Sequence, residues 1–395
     1  MQRGRRAPDA GGGRVAGERS RPPVTRVLVL NERDPLHPKA GGAEIHVAEI
    51  FARIAARGAQ VTLVASHFAG AAARDEVRGM QVQRLGRLPF YYPRAAWVCA
   101  RDTRRERYDV VVECLNKLPF LAPLYSAAPV LGLCHHLFGE TAFLQVSWPV
   151  AAAVWSVERF VPRVYGSGHL VVISESTRGD LIRRGVAADR IEVHHPGIRP
   201  PTFEPPGLPE RRHRVAYVGR LEPYKKVDVV LRAAARLIER FPDLQIDIIG
   251  RGSDRARLER VAAEVGLAER THFAGFVSDE ERDRLLAGAR VCVCPSTKEG
   301  WGLTVIESNA LGTPNVATDA PGLRDSVRDG ETGFLVPDGD VETFAARMGA
   351  LLGDDALAER MSAAAVTWSR GFDWDRAAAR MEASLEAVQR EGRIG

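Results

Sequence analysis

The sequence predicts an α/β protein of two Rossmann-like halves, each a parallel sheet covered by helices on both faces. Three observations carry this reading. Short, nearly continuous apolar runs alternate with helical stretches from Val24 to Val336, the pattern of strands buried on both faces. The alternation breaks at Arg199-Pro-Pro-Thr-Phe-Glu-Pro-Pro-Gly-Leu-Pro209 and restarts beyond it, as a Pro-rich linker between two units requires. The length of 395 residues suffices for two cores, at about 100–200 residues per domain.

In the first half, Val24 to Asn31 is an apolar strand. A loop of Pro, His and Gly follows, then a helical pattern from Ala43 to Ala56. Gln60–Ala65, Asp109–Glu113, Val130–Cys134 and His169–Ser174 are the further strands, with helical stretches between them. In the second half, strands are expected at Arg214–Gly219, Leu244–Gly250, Thr271–Gly275, Val291–Pro295, Asn315–Thr318 and Gly333–Val336. Helices are expected at Val227–Arg240, Ala256–Val265, Asp279–Ala289 and from Leu303 to Leu311. The expected division is a disordered basic tail at 1–23, a first half at 24–200, a linker at 201–213 and a second half at 214–372. The last segment, 373–395, is an amphipathic helix expected to pack back on the first half.

Charge narrows the function classes. The formal net charge is +5, and the tail, with six Arg against Asp9 and Glu18, carries +4 of it. The body is close to neutral, so no nucleic-acid partner is expected. The tail is rich in Arg, Gly, Ala and Pro and cannot bury enough apolar surface to fold. It lacks the apolar centre of a secretory signal. No segment has the roughly 20 consecutive apolar residues of a membrane span. Five scattered cysteines, Cys99, Cys114, Cys134, Cys292 and Cys294, lack metal-ligand spacing. They fit reduced thiols in a cytoplasmic protein.

Ligands of open parallel sheets bind beyond the carboxyl ends of the strands. The richest such end is Pro295-Ser-Thr-Lys-Glu-Gly-Trp-Gly-Leu-Thr-Val-Ile-Glu307. A buried strand, a glycine turn and a helix start there make an anion site, since first-turn amides and the helix dipole both favour negative charge. Glu299 stands before the turn and Glu307 about one helical turn into the helix. Gly41-Gly42-Ala43-Glu44 opens the first helix in a similar way. Arg220 and Lys225 follow a strand and can neutralise a diphosphate, the first as a fork and the second as a point charge. His135 ends a buried strand and can orient by hydrogen bonding. His194-His195 reads as structural. No Walker A run, nucleophile elbow or dinucleotide-binding G-x-G-x-x-G is present, which argues against redox chemistry on a dinucleotide.

These residues resemble the retaining glycosyltransferases of family 4, which have the GT-B fold: two Rossmann-like domains facing each other across a cleft. The resemblance runs from Val24 almost to the end. It rests most on Glu299-Gly-Trp-Gly-Leu-Thr-Val-Ile-Glu307 followed by Ala310-Leu-Gly-Thr-Pro314. Val218-Gly-Arg-Leu-Glu-Pro-Tyr-Lys225, Gly41-Gly42-Ala43-Glu44, Val171-Val-Ile-Ser-Glu-Ser-Thr177 and Asp329-Gly-Glu-Thr-Gly-Phe-Leu-Val336 support it.

The resemblance implies transfer of a hexose from a nucleotide-diphosphate sugar (UDP- or GDP-sugar) to a glycan, lipid-linked or small-molecule acceptor. No metal or further cofactor is required. Arg220 and Lys225 would hold the diphosphate and stabilise the leaving nucleotide. Glu299 and His135 would contact the donor sugar, and Glu307 the ribose. Gly41 and Gly42, the amides of Gly300, Trp301, Gly302, Leu303 and Thr304, and Gly250, Phe276 and Val277 would line the donor. The first half would be the acceptor side, with contacts from Glu113, Asn116 and Lys117. Where the family often has a glycine after the lysine, this chain has Lys226. A sugar-nucleotide epimerase of the same fold, or a non-catalytic nucleotide-sugar-binding subunit, would use a similar cleft.

Two aromatic and basic stretches stand apart from this reading. Leu88-Pro-Phe-Tyr-Tyr-Pro-Arg-Ala-Ala-Trp97 and Phe143 to Tyr165 either pack over the core and cleft or rest on an anionic membrane surface. The location expected is cytoplasmic, with peripheral contact at the inner face of the membrane as the second option.

Overall fold

A computed structural model describes residues 25–116, 118–139, 143, 147–211 and 213–392. The basic tail 1–23 and Lys117 lie outside the described residues. The first sheet is built from β1 (Arg26–Leu30), β2 (Gln60–Ala65), β3 (Arg74–Val77), β4 (Met80–Arg84), β5 (Val110–Leu115), β6 (Val130–Cys134), β7 (His169–Val172) and β8 (Ile191–Val193). Its order is β3-β4-β2-β1-β5-β6-β7-β8. The second sheet comprises β9 (Arg214–Val218), β10 (Gln245–Ile249), β11 (Thr271–Gly275), β12 (Val291–Cys294), β13 (Asn315–Thr318) and β14 (Gly333–Val336), in the order β11-β10-β9-β12-β13-β14. Neighbouring strands are parallel except for β3 and β4. The α/β class follows from the apolar strands: Val27, Leu28, Val29 and Leu30 are buried on both faces of the first sheet, and Val291, Cys292 and Val293 in the second.

The β3–β4 hairpin and the short β8 are not foreseen from the sequence. Arg74-Asp-Glu-Val77 is mostly polar, and the buried face of β4 carries Arg84 beside Met80 and Val82. What makes the hairpin is its turn. Arg78 and Gly79 have φ of 54° and 80°, the two positive values of a two-residue turn that matches strand twist. Val77 pairs with Met80 across it.

Each sheet has its own core. Val215, Tyr217, Ile246, Ile248, Val291 and Val293 pack with Phe344, Met348 and Leu351. In the first half, Val27, Val29, Leu63, Val110 and Leu131 pack with Val47, Ile50, Phe51 and Ile54 of the helix Gly42–Ala56. That core also takes Trp374, Ala378, Met381, Leu385 and Val388 of the final helix, Trp374–Gly392. Burying each such side chain contributes about 1.5–3 kcal/mol, so the apolar stripe of this helix settles which half it joins. The chain therefore passes between the halves twice, and the crossings run side by side. The Ile198 amide donates to the Phe372 carbonyl at 3.3 Å, and a Cβ on Gly197 would stand 2.3 Å from the Trp374 nitrogen.

One buried acid ties the crossing to the first helix. The Glu49 carboxylate accepts from Arg53, Arg78 and Arg199, and Arg199 also donates to Asp279 of the second half at 2.6 Å. Burial disfavours the charged form, but the hydrogen bonds from Arg78, Arg53 and Arg199 outweigh it and hold the carboxyl at about 2. A folded value below the unfolded one stabilises the fold above about pH 4.5, and this contribution is lost as pH falls towards 2. Glu49→Gln is expected to cost about 2 kcal/mol at neutral pH, because it removes the buried carboxylate charge to which three partly exposed guanidiniums donate. It should also flatten the acid limb of stability measured by urea denaturation between pH 5 and pH 2.5.

Candidate active site

Strand order reverses between β1 and β5 in the first sheet and between β9 and β12 in the second. Crevices at such switch points, beyond the carboxyl ends, are where ligands of open sheets sit. The segments that emerge there are those following β1, β5, β9 and β12. They bring two helix N-termini together. A Cβ on Gly42, the first residue of Gly42–Ala56, would lie 3.5 Å from Leu303 Cδ1, the first residue of Leu303–Ala310. The positive ends of two helix dipoles therefore converge from opposite halves. Gly302 at the cap has φ 86°, and a Cβ there would stand 2.8 Å from Ser326 Oγ, so only glycine fits this turn comfortably.

Lys225 and Glu299 meet beside these termini as an ion pair between Nζ and Oε1. The loops that carry them are tied together, since the Thr297 amide donates to the Tyr224 carbonyl at 3.1 Å. Burial works against the Lys225 ammonium, but Glu299 and then Tyr224 outweigh it, so its pKa is raised and it stays charged. Arg220 is exposed at the rim and donates to the Tyr224 hydroxyl at 2.8 Å. Thr304 Oγ1 reaches the Val218 carbonyl at 3.5 Å.

Lys226 points away and pairs with Asp338 at 2.7 Å. Its φ is 48°, a left-handed conformation that costs a non-glycine residue about 1 kcal/mol. This is the physical reason a glycine suits the position. Lys226→Gly gives up only an exposed ion pair worth under about 1 kcal/mol. It is expected to leave the melting temperature within about 2 °C, checked by thermal melts.

From the first half, His135 closes the other wall. It is 2 % exposed, and burial, helped by His136, holds its imidazole at about 3, so it is neutral. Its Nε2 lies 3.1 Å from His46 Nδ1, while its Nδ1 has no hydrogen-bond partner among the described residues. A buried ring nitrogen without a partner is costly in a protein. The loop before the helix Leu303–Ala310 lies directly against it, because a Cβ on Gly300 would be 3.0 Å from the His135 carbonyl oxygen.

Glu307, Gly250 and Gly219 occupy the adjoining edge. Burial raises the Glu307 carboxyl against the opposing charge of Arg282, whose Nη1 is 3.6 Å away. Gly250 has φ 139°, and a Cβ there would fall 1.9 Å from the Gly219 carbonyl oxygen. Phe276 is 74 % exposed, with the Arg251 guanidinium 5.5 Å from its ring centre, and Val277 is half-buried beside it.

Not every expected contact faces this crevice. The Trp301 side chain is turned into the core, stacked on His195 at 4.2 Å and close to Phe372 at 5.2 Å, so only its backbone is available to line a ligand. The Gly41 amide is taken by Glu44 Oε2 at 2.7 Å. Glu113 is 0 % exposed, and its carboxylate accepts from the amides of Phe120, Leu121 and Ala122 and from the Tyr165 hydroxyl. That is a loop anchor with no open face for an acceptor. Asn116 donates to Asn31 Oδ1 at 2.7 Å, at the mouth of the first-half switch point. Among the described residues, no group of His, Cys, Asp and Glu could hold a metal ion. Lys298 and Arg282 are not singled out from the sequence. A lysine directly before Glu299 is a visible signal, whereas Arg282 is hidden among the charges of Asp279-Glu-Glu-Arg-Asp-Arg284.

Known proteins resemble the chain over most of its length. A family model described as "Glycosyl transferases group 1" matches residues 199–368, and one described as "Glycosyltransferase Family 4" matches residues 40–202. The D-inositol 3-phosphate glycosyltransferase of Streptomyces scabiei is 30% identical over 95% of this chain and 93% of its own length. That of Thermomonospora curvata is also 30% identical, over 89% and 93%. Among solved structures, sucrose-phosphate synthase of Thermosynechococcus elongatus superposes with a TM-score of 0.77 at 21% identity, covering 92% of this chain and 99% of that one. HepE of Anabaena, solved in complex with UDP-glucose, superposes with a TM-score of 0.72 at 17% identity, covering 92% and 99%.

Proposed function

Since the chain belongs to the family 4 (group 1) glycosyltransferases of the GT-B fold, and is thus a glycosyltransferase using a nucleotide sugar, we propose that it transfers the hexose with retention of anomeric configuration. The observation that carries the site assignment is the convergence of two helix N-termini beside the Lys225–Glu299 pair. A diphosphate placed there meets amides from both halves and the charges of Lys225 and Arg220. Departure of the nucleotide concentrates negative charge on the phosphate oxygens, where those donors already stand. No metal is needed for that charge. Glu299 and the free His135 Nδ1 face the sugar, and Glu307 the ribose. Closing the halves excludes water from the reacting centre.

The acceptor enters from the first half, near Asn31 and Asn116. The relatives' names make a phosphorylated cyclitol, D-inositol 3-phosphate, the first acceptor to try, with glycans and lipid-linked sugars next. The test is proton NMR of the product formed from UDP- and GDP-hexoses with each acceptor, beside a donor-only control. The expected product keeps the donor's anomeric configuration. An inverted product removes the retaining mechanism, and epimerised donor without acceptor replaces transfer by epimerisation.

Peripheral membrane contact belongs to the same proposal. No described helix is long and apolar enough to cross a membrane. Phe90 and Trp97 are exposed on the arginine-bearing helix Tyr91–Arg104 and its lead-in, and Trp148 and Phe160 are exposed around Trp148–Glu158. The pure protein is expected to float with anionic liposomes and not with neutral ones. Absence of flotation removes the contact.

A further inference from the structure

We propose that Lys298 is a positioning residue that locks the two halves in the closed, transfer-competent register; the proposal rests on the glycosyltransferase reading above. Residues 298 to 300 of the second half run along residues 135 to 138 of the first. Gly300 abuts the His135 carbonyl and lies near His136 Nδ1. One step back, Glu299 turns into its own half towards Lys225. One further step back, Lys298 turns the other way, and its Nζ donates to the Leu137 carbonyl and, at 3.4 Å, to the Phe138 carbonyl.

The loop that receives it is held from behind. Glu158 accepts from the Phe138 amide at 2.6 Å and from the Gly139 amide at 2.8 Å, and Arg184 stands 3.7 Å from Glu158. The loop's amides are thus fixed within the first half and its carbonyls by a cation from the second. Burial lowers the pKa of the Lys298 ammonium, and the negative charges of Asp180 and Glu158 oppose that shift. His135 opens this loop and Glu299 adjoins Lys298, so one side chain sets the distance between the two groups assigned to the donor sugar. A backbone carbonyl is a good partner for an ammonium in a partly desolvated place. When the cleft opens, Nζ must exchange it for water. The bond therefore favours closure without touching the substrate.

The test is Lys298→Met, with Lys298→Arg as the conservative variant and Lys298→Gln read instead if the methionine form does not fold. Loss of a charged hydrogen bond made in the closed state predicts a fall of about tenfold in kcat/KM, with weaker nucleotide diphosphate binding because that ligand also draws on both halves. Lys298→Arg is expected to restore most of the turnover. Hydrogen exchange in the nucleotide-bound protein is expected to be faster across residues 135–139 in Lys298→Met than in the parent. Turnover equal to the parent's, or a Lys298→Arg variant as slow as Lys298→Met, overturns the assignment. If the parent transfers no sugar, it is the glycosyltransferase reading that fails, and the exchange across residues 135–139 still decides the latch: unchanged exchange overturns it.

Discussion

Lys225→Ala is expected to lower transfer by about 10²–10³-fold while the protein stays folded, and to weaken nucleotide diphosphate binding in parallel. The ammonium pairs with Glu299, on the loop that leads into the helix Leu303–Ala310. It is kept charged there by Glu299, against the pull of burial. Neither helix end carries a full charge, so the leaving nucleotide depends on Lys225 and Arg220 for formal positive charge. Arg220 is exposed and partly engaged by Tyr224, so it cannot replace a lysine already at the centre. The fold should survive because Glu299, left alone, keeps 23% of its side chain in contact with solvent and can rehydrate. Circular dichroism and melting temperature check the fold, steady-state turnover the activity, and calorimetry the nucleotide affinity.

Glu299→Ala is expected to cost as much in turnover, about 10²–10³-fold, with the opposite signature in binding. Removing the carboxylate takes away the partner of Lys225 and leaves its ammonium free for phosphate. Nucleotide diphosphate should then bind as tightly as to the parent or more tightly, while transfer collapses. Glu299→Gln separates charge from hydrogen bonding. It retains contacts to sugar hydroxyls but not the negative field beside the anomeric carbon, so it should lie between the alanine variant and the parent. Equal loss of nucleotide affinity in Lys225→Ala and Glu299→Ala would mean the two residues act only as a structural pair. Comparing the two variants by calorimetry is therefore more informative than either turnover number alone.

The strands buried on both faces were legible because nothing but a parallel sheet between helices accounts for runs such as Val27 to Leu30 and Val291 to Val293. The polar hairpin β3–β4 was not, since its determinant is the positive φ of Arg78 and Gly79 and not its hydrophobic pattern. Positions along the chain located Lys225, Glu299 and Gly42 at the carboxyl ends of strands, and the structure brings them into one crevice. Side-chain direction was the illegible part. Glu113 follows the same rule of position, yet its carboxylate turns inward to cap three amides. Trp301 lies within the most informative segment, yet its ring stacks on His195. Lys298 was passed over because its partners are backbone carbonyls of the other half, which leave no mark in sequence.

The central claim, a donor site built by both halves around Lys225 and Glu299, is tested most directly by thermal melts of the parent and Lys225→Ala against UDP, GDP, ADP and their sugars. A ligand that binds only the folded state at about a hundredfold its Kd adds about 2.7 kcal/mol of stability. One nucleotide and its sugar are therefore predicted to raise the parent's melting temperature by about 5 °C or more, and to raise that of Lys225→Ala far less. A parent that no nucleotide stabilises, or a variant stabilised as much as the parent, would contradict the account.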